Sequence, residues 1–538
     1  MQRMLRLGFR AVATVMFLFI GCLAAQAQVP SNCHVGTNVY YISSSTGSDS
    51  NTQAQAKSKS TPWAHSPYMA DFAGTYASGG DDCFFFKGGD SWSTASFQMK
   101  ITNGGNSDAD LMYFGGGDQT WFTGASWTPP ILDLTGYTNN DAIQFWQNYV
   151  QFDNWETKNQ TCNGSGDTSL FANTGHAGIF VTYVYSHKFN APVNGGAYCG
   201  TSMMVFYHAG GCAANGGTCC DGGLDHDIVD GSDAANGTGQ IVYATKSGCL
   251  NVTHSIFHDV CSAVNMETAL VAYNLIYDIG NWSNSVLDCV SISGNHPDGI
   301  QTATNSDIHD NVIYNCVGEI IQVTPHTGQT SHIYNNVLFK NFAGGAIEAG
   351  TGGDGGSGGE VDVYNNTIDC ATGNDAGSCV PLHTYTISFS KIIWENNHLI
   401  TGDGQPGFCI ANLPYGCNGS TTVTTLSYTP SSELEQTLSQ AAAHYASDTA
   451  TYAYAPLDSS APGIGKGMNL TGSCTTSLVL CTDTAYGSAQ SGAKITVPRV
   501  TVGRPGASVG NWDAGGYQFS GQSAGPPGAA AALKTTVQ

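Results

Sequence analysis

From residue 154 onward one pattern recurs: alternating apolar residues flank a polar step that carries Asn, Ser or Asp. Its instances are "FDNWET", "VYSHKF", "LDHDIVDG", "VTHSIFHDV", "VAYNLIYDI", "IHDNVIYNC", "IYNNVLFKN", "VYNNTIDC" and "WENNHLI". The aligned polar residues are Asn154, Ser186, Asp227, Ser255, Asn274, Asn311, Asn336, Asn366 and Asn397, spaced by 19 to 41 residues. Period-2 apolar positions in repeats of this size, without helical periodicity, predict a solenoid of strands with loops of variable length. Asparagine suits its corners, because it accepts left-handed turns and its amide can bond the Asn of the next coil. Nine such lines predict about nine coils, a cylinder roughly 40 Å long at the strand spacing.

Between these lines runs a second row of short strands, each an apolar residue followed by a polar one. Val264-Asn265, Ile300-Gln301, Ile321-Gln322 and Ile347-Glu348 align in consecutive coils. Ile143-Gln144 is a candidate for its beginning and Ile387-Ser388 for its continuation. Alternation turns the apolar member inward and the polar member outward.

Composition narrows the classes. The chain has 538 residues, 68 glycines, 11% charged residues and a net charge of −23. Nucleic acid is a poor partner, because phosphate binding needs clusters of Lys and Arg. Arg3, Arg6 and Arg10 precede the apolar run Ala11 to Ile20, which ends at Ala25-Gln26-Ala27. That is the layout of a secretory signal peptide over residues 1–27, too short to span a membrane. The rival reading of Phe19-Ile20-Gly21-Cys22 as a lipid-attachment site suffers from Phe at its first position. No later stretch is apolar enough to span a bilayer, so a secreted, extracellular monomer is expected.

Export makes disulfides the default for cysteine. Of 18 cysteines, Cys22 leaves with the signal and 17 remain. Cys370–Cys379, Cys409–Cys417 and Cys474–Cys481 close small loops, and the adjacent Cys219 and Cys220 are expected to take different partners. The odd total leaves at least one thiol free or intermolecular.

Both ends resemble secreted right-handed parallel β-helix proteins of the pectate-lyase-like type. The carriers are "VYYISSSTGSDSNTQ…STPW" and "GDDCFFFKGGDSW" at one end, "YAPLDSSAPGIGKG" and "RPGASVGNWDAGGYQF" at the other. The resemblance implies an all-β, single-stranded solenoid with terminal caps. It divides the chain into an N-terminal cap with first strands (28–140), coils (141–401), a C-terminal cap (402–520) and a disordered tail (521–538). Caps are needed because a solenoid otherwise exposes unpaired strand edges. The glycine-rich run 350–360 reads as a solvated loop, or as a lid over a groove.

The candidate chemistry centres on "HPDGIQ", His296 to Gln301. Three residues before Gln301 stands Asp298, and three before Gln322 stands Glu319. In register these carboxyls stack about 5 Å apart on adjacent coils. Two acids that close share a proton, bind a cation, or act as acid and base. "HPDG" is similar in part to the Asn-Thr-Asp-Gly motif of polygalacturonase-type glycoside hydrolases, which implies a catalytic role for Asp298. The family's next acidic pair falls on Gly318 and Glu319, so only the second acid is kept. Its Gly-His-Gly and Arg-x-Lys motifs have no counterpart.

His296 beside a carboxylate is suited to proton relay near neutral pH. Asn265, Glu267, Gln301, Gln322, His326 and Glu348 are candidate partners for sugar hydroxyls. Asp-Gly is equally an ordinary turn dipeptide. The run "LDHDIVDGSD" gathers four aspartates and one histidine, so calcium is an alternative cofactor there, although no EF-hand spacing is present. The functional expectation is a protein acting on polysaccharide, with hydrolysis slightly preferred. A calcium-dependent lyase is the first alternative, opposed by the absence of a lysine from the aligned row, with Lys246 and Lys340 assigned to other faces. A non-catalytic glycan-binding adhesin is the second.

Overall fold

The computed structural model describes residues 33, 38–80, 82–137, 141–160, 168–173, 175–189, 201–206, 222–232, 241–246, 249–266, 268–280, 297–303, 305–341, 345–350, 358–372, 380–384, 388–401, 422–449, 453–474, 479–481 and 511–519. Their strands form three sheets of 13, 10 and 12 strands, in which each strand bonds to its counterpart in the coils before and after. All the paired strands run parallel, as in strands 300–302 and 321–323. A chain that visits three parallel sheets in turn and returns one strand further along is a parallel β-helix, with the right hand that parallel crossovers take. The all-β expectation holds: among the described residues the one α-helix is Leu438–Ala442.

The helix is longer than the expected nine coils. Its first sheet already contains Val39–Ile42 and Cys83–Phe86, and it ends with Thr422–Tyr428. Twelve steps at strand spacing make a body about 58 Å long. The additional coils lack the Asn signature because aromatic side chains fill them. Phe84 stacks on Phe114 at 4.9 Å, and Tyr40 on Trp63 at 5.3 Å. Trp63, fully buried, pairs with the edge strand through Ile42 and covers it. At the other end Leu434, Ala441, Tyr445 and Tyr454 form a second apolar cluster.

The corner between the first and third sheets explains the asparagine doublets. One residue per coil takes a left-handed backbone: φ is 56° at Asn335, 51° at Asn365 and 60° at Asn396. The next residue points inward and is fully buried at Asn274, Asn311, Asn336, Asn366 and Asn397. In each of the first four, the residue's own N–H and Nδ2 both donate to the Oδ1 of the next coil's Asn, at 3.0 Å from Asn311 to Asn336. The same Nδ2 reaches back to a carbonyl of the preceding coil, Val271 for Asn311, at 2.8 Å. A buried amide that fills its bonds nets about 1 kcal/mol, and leaving one unfilled costs about 1–3 kcal/mol.

Register corrects the two earliest members of the alignment. Asn154 occupies the left-handed position, with φ 68°, and the inward place is taken by Trp155. Ser186 lies two residues beyond its coil's inward residue, Val184, whose N–H bonds to Asp227 Oδ1 at 2.7 Å. Both errors arise where an apolar side chain stands in for the amide. Asp227 and Ser255 do belong to the ladder, since Asp227 N–H donates to Ser255 Oγ and Ser255 N–H to Asn274 Oδ1.

Cys33 and Cys83 form a disulfide that ties the segment before the first strand to the second strand. Cys261, Cys370 and Cys474 are each disulfide-bonded. Positions 219, 220, 379, 409 and 417, and residues 1–27 where a signal peptide is expected, lie outside the described residues. Cys316 is a free, buried thiol. No helix among the described residues is long and apolar enough to cross a membrane.

Candidate functional site

The second sheet carries the row read from sequence. Its register aligns Asn265 with Gln301, Gln301 with Gln322, and Gln322 with Glu348. Ile143-Gln144 belongs to this sheet, although Met99–Ile101 begins it. The continuation is Leu382-His383, with Glu348 opposite His383. Ser388 instead opens a strand of the first sheet, and Ile387 lies outside the described residues.

One neighbour changes the chemistry. Lys246 stands opposite Asn265, so a lysine does occupy this row. The expectation that Lys246 sits on another face is corrected, and with it the argument that the row lacks a base. Lys340 lies on the third sheet, as expected, with its ammonium 2.7 Å from Asp448.

The amides of the row bond to each other. Asn265 Nδ2 donates to Gln301 Oε1 at 2.6 Å, Gln301 Nε2 to Gln322 Oε1 at 2.6 Å, and Gln322 Nε2 to Glu348 Oε1 at 2.7 Å. Glu348 Oε2 lies 3.8 Å from His383 Nδ1. The row is thus a hydrogen-bonded chain with one direction, ending on a carboxyl. Gln322 and Glu348 are only 1% and 2% exposed, so outward from the core does not mean open to water here. Burial first, and then the charge of Glu319, push Glu348 up to about 7.

Asp298 and Glu319 lie on adjacent coils and touch through the backbone of Glu319. Asp298 Oδ1 accepts the Glu319 N–H at 3.2 Å, and Gly299 N–H donates to the Glu319 carbonyl at 3.0 Å. Gly318 permits this approach, because a Cβ there would stand 2.8 Å from Asp298 Oδ1. Asp298 is fully buried, and its Oδ2 has no hydrogen-bond partner. Burial, followed by the negative charge of Glu319, holds its carboxyl well above the ordinary range. Glu319 is half-buried. Three carboxyls therefore interact across adjacent coils: two buried ones that favour the protonated form, and Glu319, which influences both.

The remaining candidates separate. His326 lies on the turn after strand 321–323, where its N–H donates to Gln329 Oε1 at 2.8 Å and its backbone pairs with Gly358. His296 and Glu267 lie outside the described residues. The described aspartates of "LDHDIVDGSD" do not converge. Asp225 and Asp230 end strands in different sheets, Asp227 points into the asparagine ladder, and Asp233 lies outside the described residues. Sequence reasoning missed His383, whose only signal was a two-residue apolar-polar step.

No protein-family model matches the sequence, and no curated protein is similar to it in sequence. Among solved structures the chain is similar to pectate lyase Pel9A, at 11% identity and a TM-score of 0.44, over 92% of this chain and 99% of that one. It is also similar to GH136 lacto-N-biosidase from Eubacterium ramulus, at 9% identity and a TM-score of 0.35, over 74% and 68% of the two chains. The PL6 family alginate lyase AlyGC matches at 12% identity and a TM-score of 0.32, over 66% of this chain and 48% of that one. The likeness is one of fold. The β-helix itself rests on the three parallel sheets.

Proposed function

We propose that this chain is an exported protein that holds a polysaccharide across the second sheet and cleaves it by hydrolysis. The observation that carries this reading is the cluster of Asp298, Glu319 and Glu348 on consecutive coils. Glu319, the half-buried member, is the acid placed to meet a ligand, and Asp298 behind it is the proton-holding partner. A carboxyl that meets the ligand can exchange a proton with a departing glycosidic oxygen, and a protonated carboxyl held directly behind it can pass a proton forward. His296 at the head of the same turn is proposed to relay the proton. Glu267 and His326 are proposed to flank the ligand rather than to act on it.

Elimination is the second reading, and the register of Lys246 beside Asn265 favours it. A lysine on the row can take the proton that a lyase removes, with calcium as the ion that would neutralise an acidic sugar. Its ligands would come from the three carboxyls, whose oxygen chemistry fits a hard cation. A screen of neutral and acidic glycans separates the readings. New reducing ends without ultraviolet absorbance support hydrolysis, and absorbance from a new double bond supports elimination. Retention of a glycan without cleavage overturns both and leaves a binding module.

A further inference from the structure

On the opposite corner of the helix, away from the carboxyl row, two successive coils bring two imidazoles onto one carboxylate. Asp225 ends strand 222–225 and His226 follows it, and His254 follows strand 249–253 of the next coil. His226 Nδ1 lies 2.6 Å from Asp225 Oδ2, and His254 Nδ1 lies 2.8 Å from Asp225 Oδ1. One ligand atom from each of the three residues falls within 4.8 Å of the others. We propose that Asp225, His226 and His254 form a binding site for a borderline divalent cation of the zinc type.

The donor set selects the ion. Two neutral imidazoles and one carboxylate suit zinc and its transition-metal neighbours, whereas calcium takes oxygen ligands. In tetrahedral zinc sites with bonds of about 2.1 Å, ligand atoms stand about 3.4 Å apart. Two of the present contacts, 2.6 and 2.8 Å, are shorter than that and all three ligand atoms lie within 4.8 Å, so the side chains must spread slightly to admit the ion. It replaces the two Nδ1 protons, each of which moves to the Nε2 of its own ring. Water completes the coordination from the open side, where Asp225 is 37% and His254 24% exposed.

The site is built rather than casual. His226 is 5% exposed and its Nδ1 is aimed into the cluster. The rings are held by stacking: Tyr183 on His226 at 4.8 Å, His226 on His254 at 4.7 Å, and His254 on Tyr273 at 5.0 Å. Thr253 Oγ1 donates to Asp225 Oδ1 at 2.6 Å and orients the carboxylate. The net charge of −23 favours any cation.

A second group, Asp230, His258 and Asp259, lies on the next corner of the same two coils. Its donors are already engaged: Asp230 Oδ1 accepts from Ser232 N–H and Oγ at 2.9 and 2.6 Å, and His258 and Asp259 are buried. It serves as the internal control.

The test is calorimetric titration of the chelator-stripped, full exported chain with Zn²⁺, and optical titration with Co²⁺. The wild type is expected to bind Co²⁺ with the intense visible bands of a tetrahedral site, and Zn²⁺ is expected to raise Tm saturably. His254→Gln and Asp225→Asn, checked for folding by far-UV circular dichroism, should each weaken binding at least about tenfold. His258→Gln should leave it unchanged. The proposal is overturned if the wild type binds neither ion, if loss follows His258→Gln instead, or if Ca²⁺ displaces Zn²⁺ at equal concentration.

Discussion

Asp298 Oδ1 accepts the backbone N–H of Glu319 across adjacent coils at 3.2 Å, which fixes one acid directly behind the other. Asp298 has no exposed surface and Glu319 is half-buried, so their order toward a ligand is set. The close approach depends on Gly318. Gly318→Ala should displace the Asp298 carboxyl and destabilise the chain by about 1–3 kcal/mol, the usual range for an overpacked position. Denaturant unfolding checks this, and an unchanged midpoint would count against the packing described.

Asp227 stands where the later coils place Asn. It accepts from Val184 N–H through Oδ1, while its buried Oδ2 has no partner. Burial pushes its pKa well above the ordinary value. An amide at this position would donate to the Val181 carbonyl, as Asn311 does to Val271. Asp227→Asn is expected to stabilise the chain by about 1–2 kcal/mol at pH 8. The gain should shrink toward pH 4, because the folded aspartate is already protonated there and the unfolded one is taking up its proton near an ordinary pKa of about 3.9. Thermal melts at the two pH values check it.

Acid should stabilise this protein over a defined window. Burial first raises Glu348 and Glu433 to about 7 and Asp362 to about 6, while unfolded carboxyls titrate near 4. The folded chain therefore binds more protons between about pH 4 and 7, and stability falls as pH rises through that range. His258 and His332 act in the same direction, since their carboxylate neighbours raise them against the effect of burial. His398, lowered to about 4 by burial, opposes them and loses stability as pH falls below 6.5. With the raised groups in the majority, Tm should be higher at pH 5.5 than at pH 8. Glu348→Gln should flatten part of that slope.

Much of this was legible because the coils impose the same demand repeatedly. Asn335-Asn336, Asn365-Asn366 and Asn396-Asn397 pair a left-handed corner with an inward amide, two requirements that one residue type meets. The row from Asn265 to Glu348 was found because four steps of Val or Ile and a polar residue repeat in order. Where apolar side chains replace the signal, at Trp155 and Val184, the frame slipped. Lys246 and His383 were misplaced or missed because two-residue steps between irregular spacings carry no frame of their own. Burial was not legible at all: alternation marks Gln322 and Glu348 as outward, yet both are covered.

Cys316 is fully buried, and burial raises its thiol well above the ordinary value. A thiolate reagent should leave it unmodified in the native chain and label it on unfolding. Peptide mapping by mass spectrometry reads this site alone, and rapid native labelling would contradict the packing of Cys316 behind Gly299.

The central claim is that Glu319 is the acid that meets the polysaccharide. Its most direct test is the kcat of Glu319→Gln on a glycan the wild type cleaves, measured beside its Tm. The account predicts a fall of at least about a hundredfold, the scale of a lost general acid or base, with Tm unchanged within a few degrees. Activity within tenfold of the wild type would contradict it.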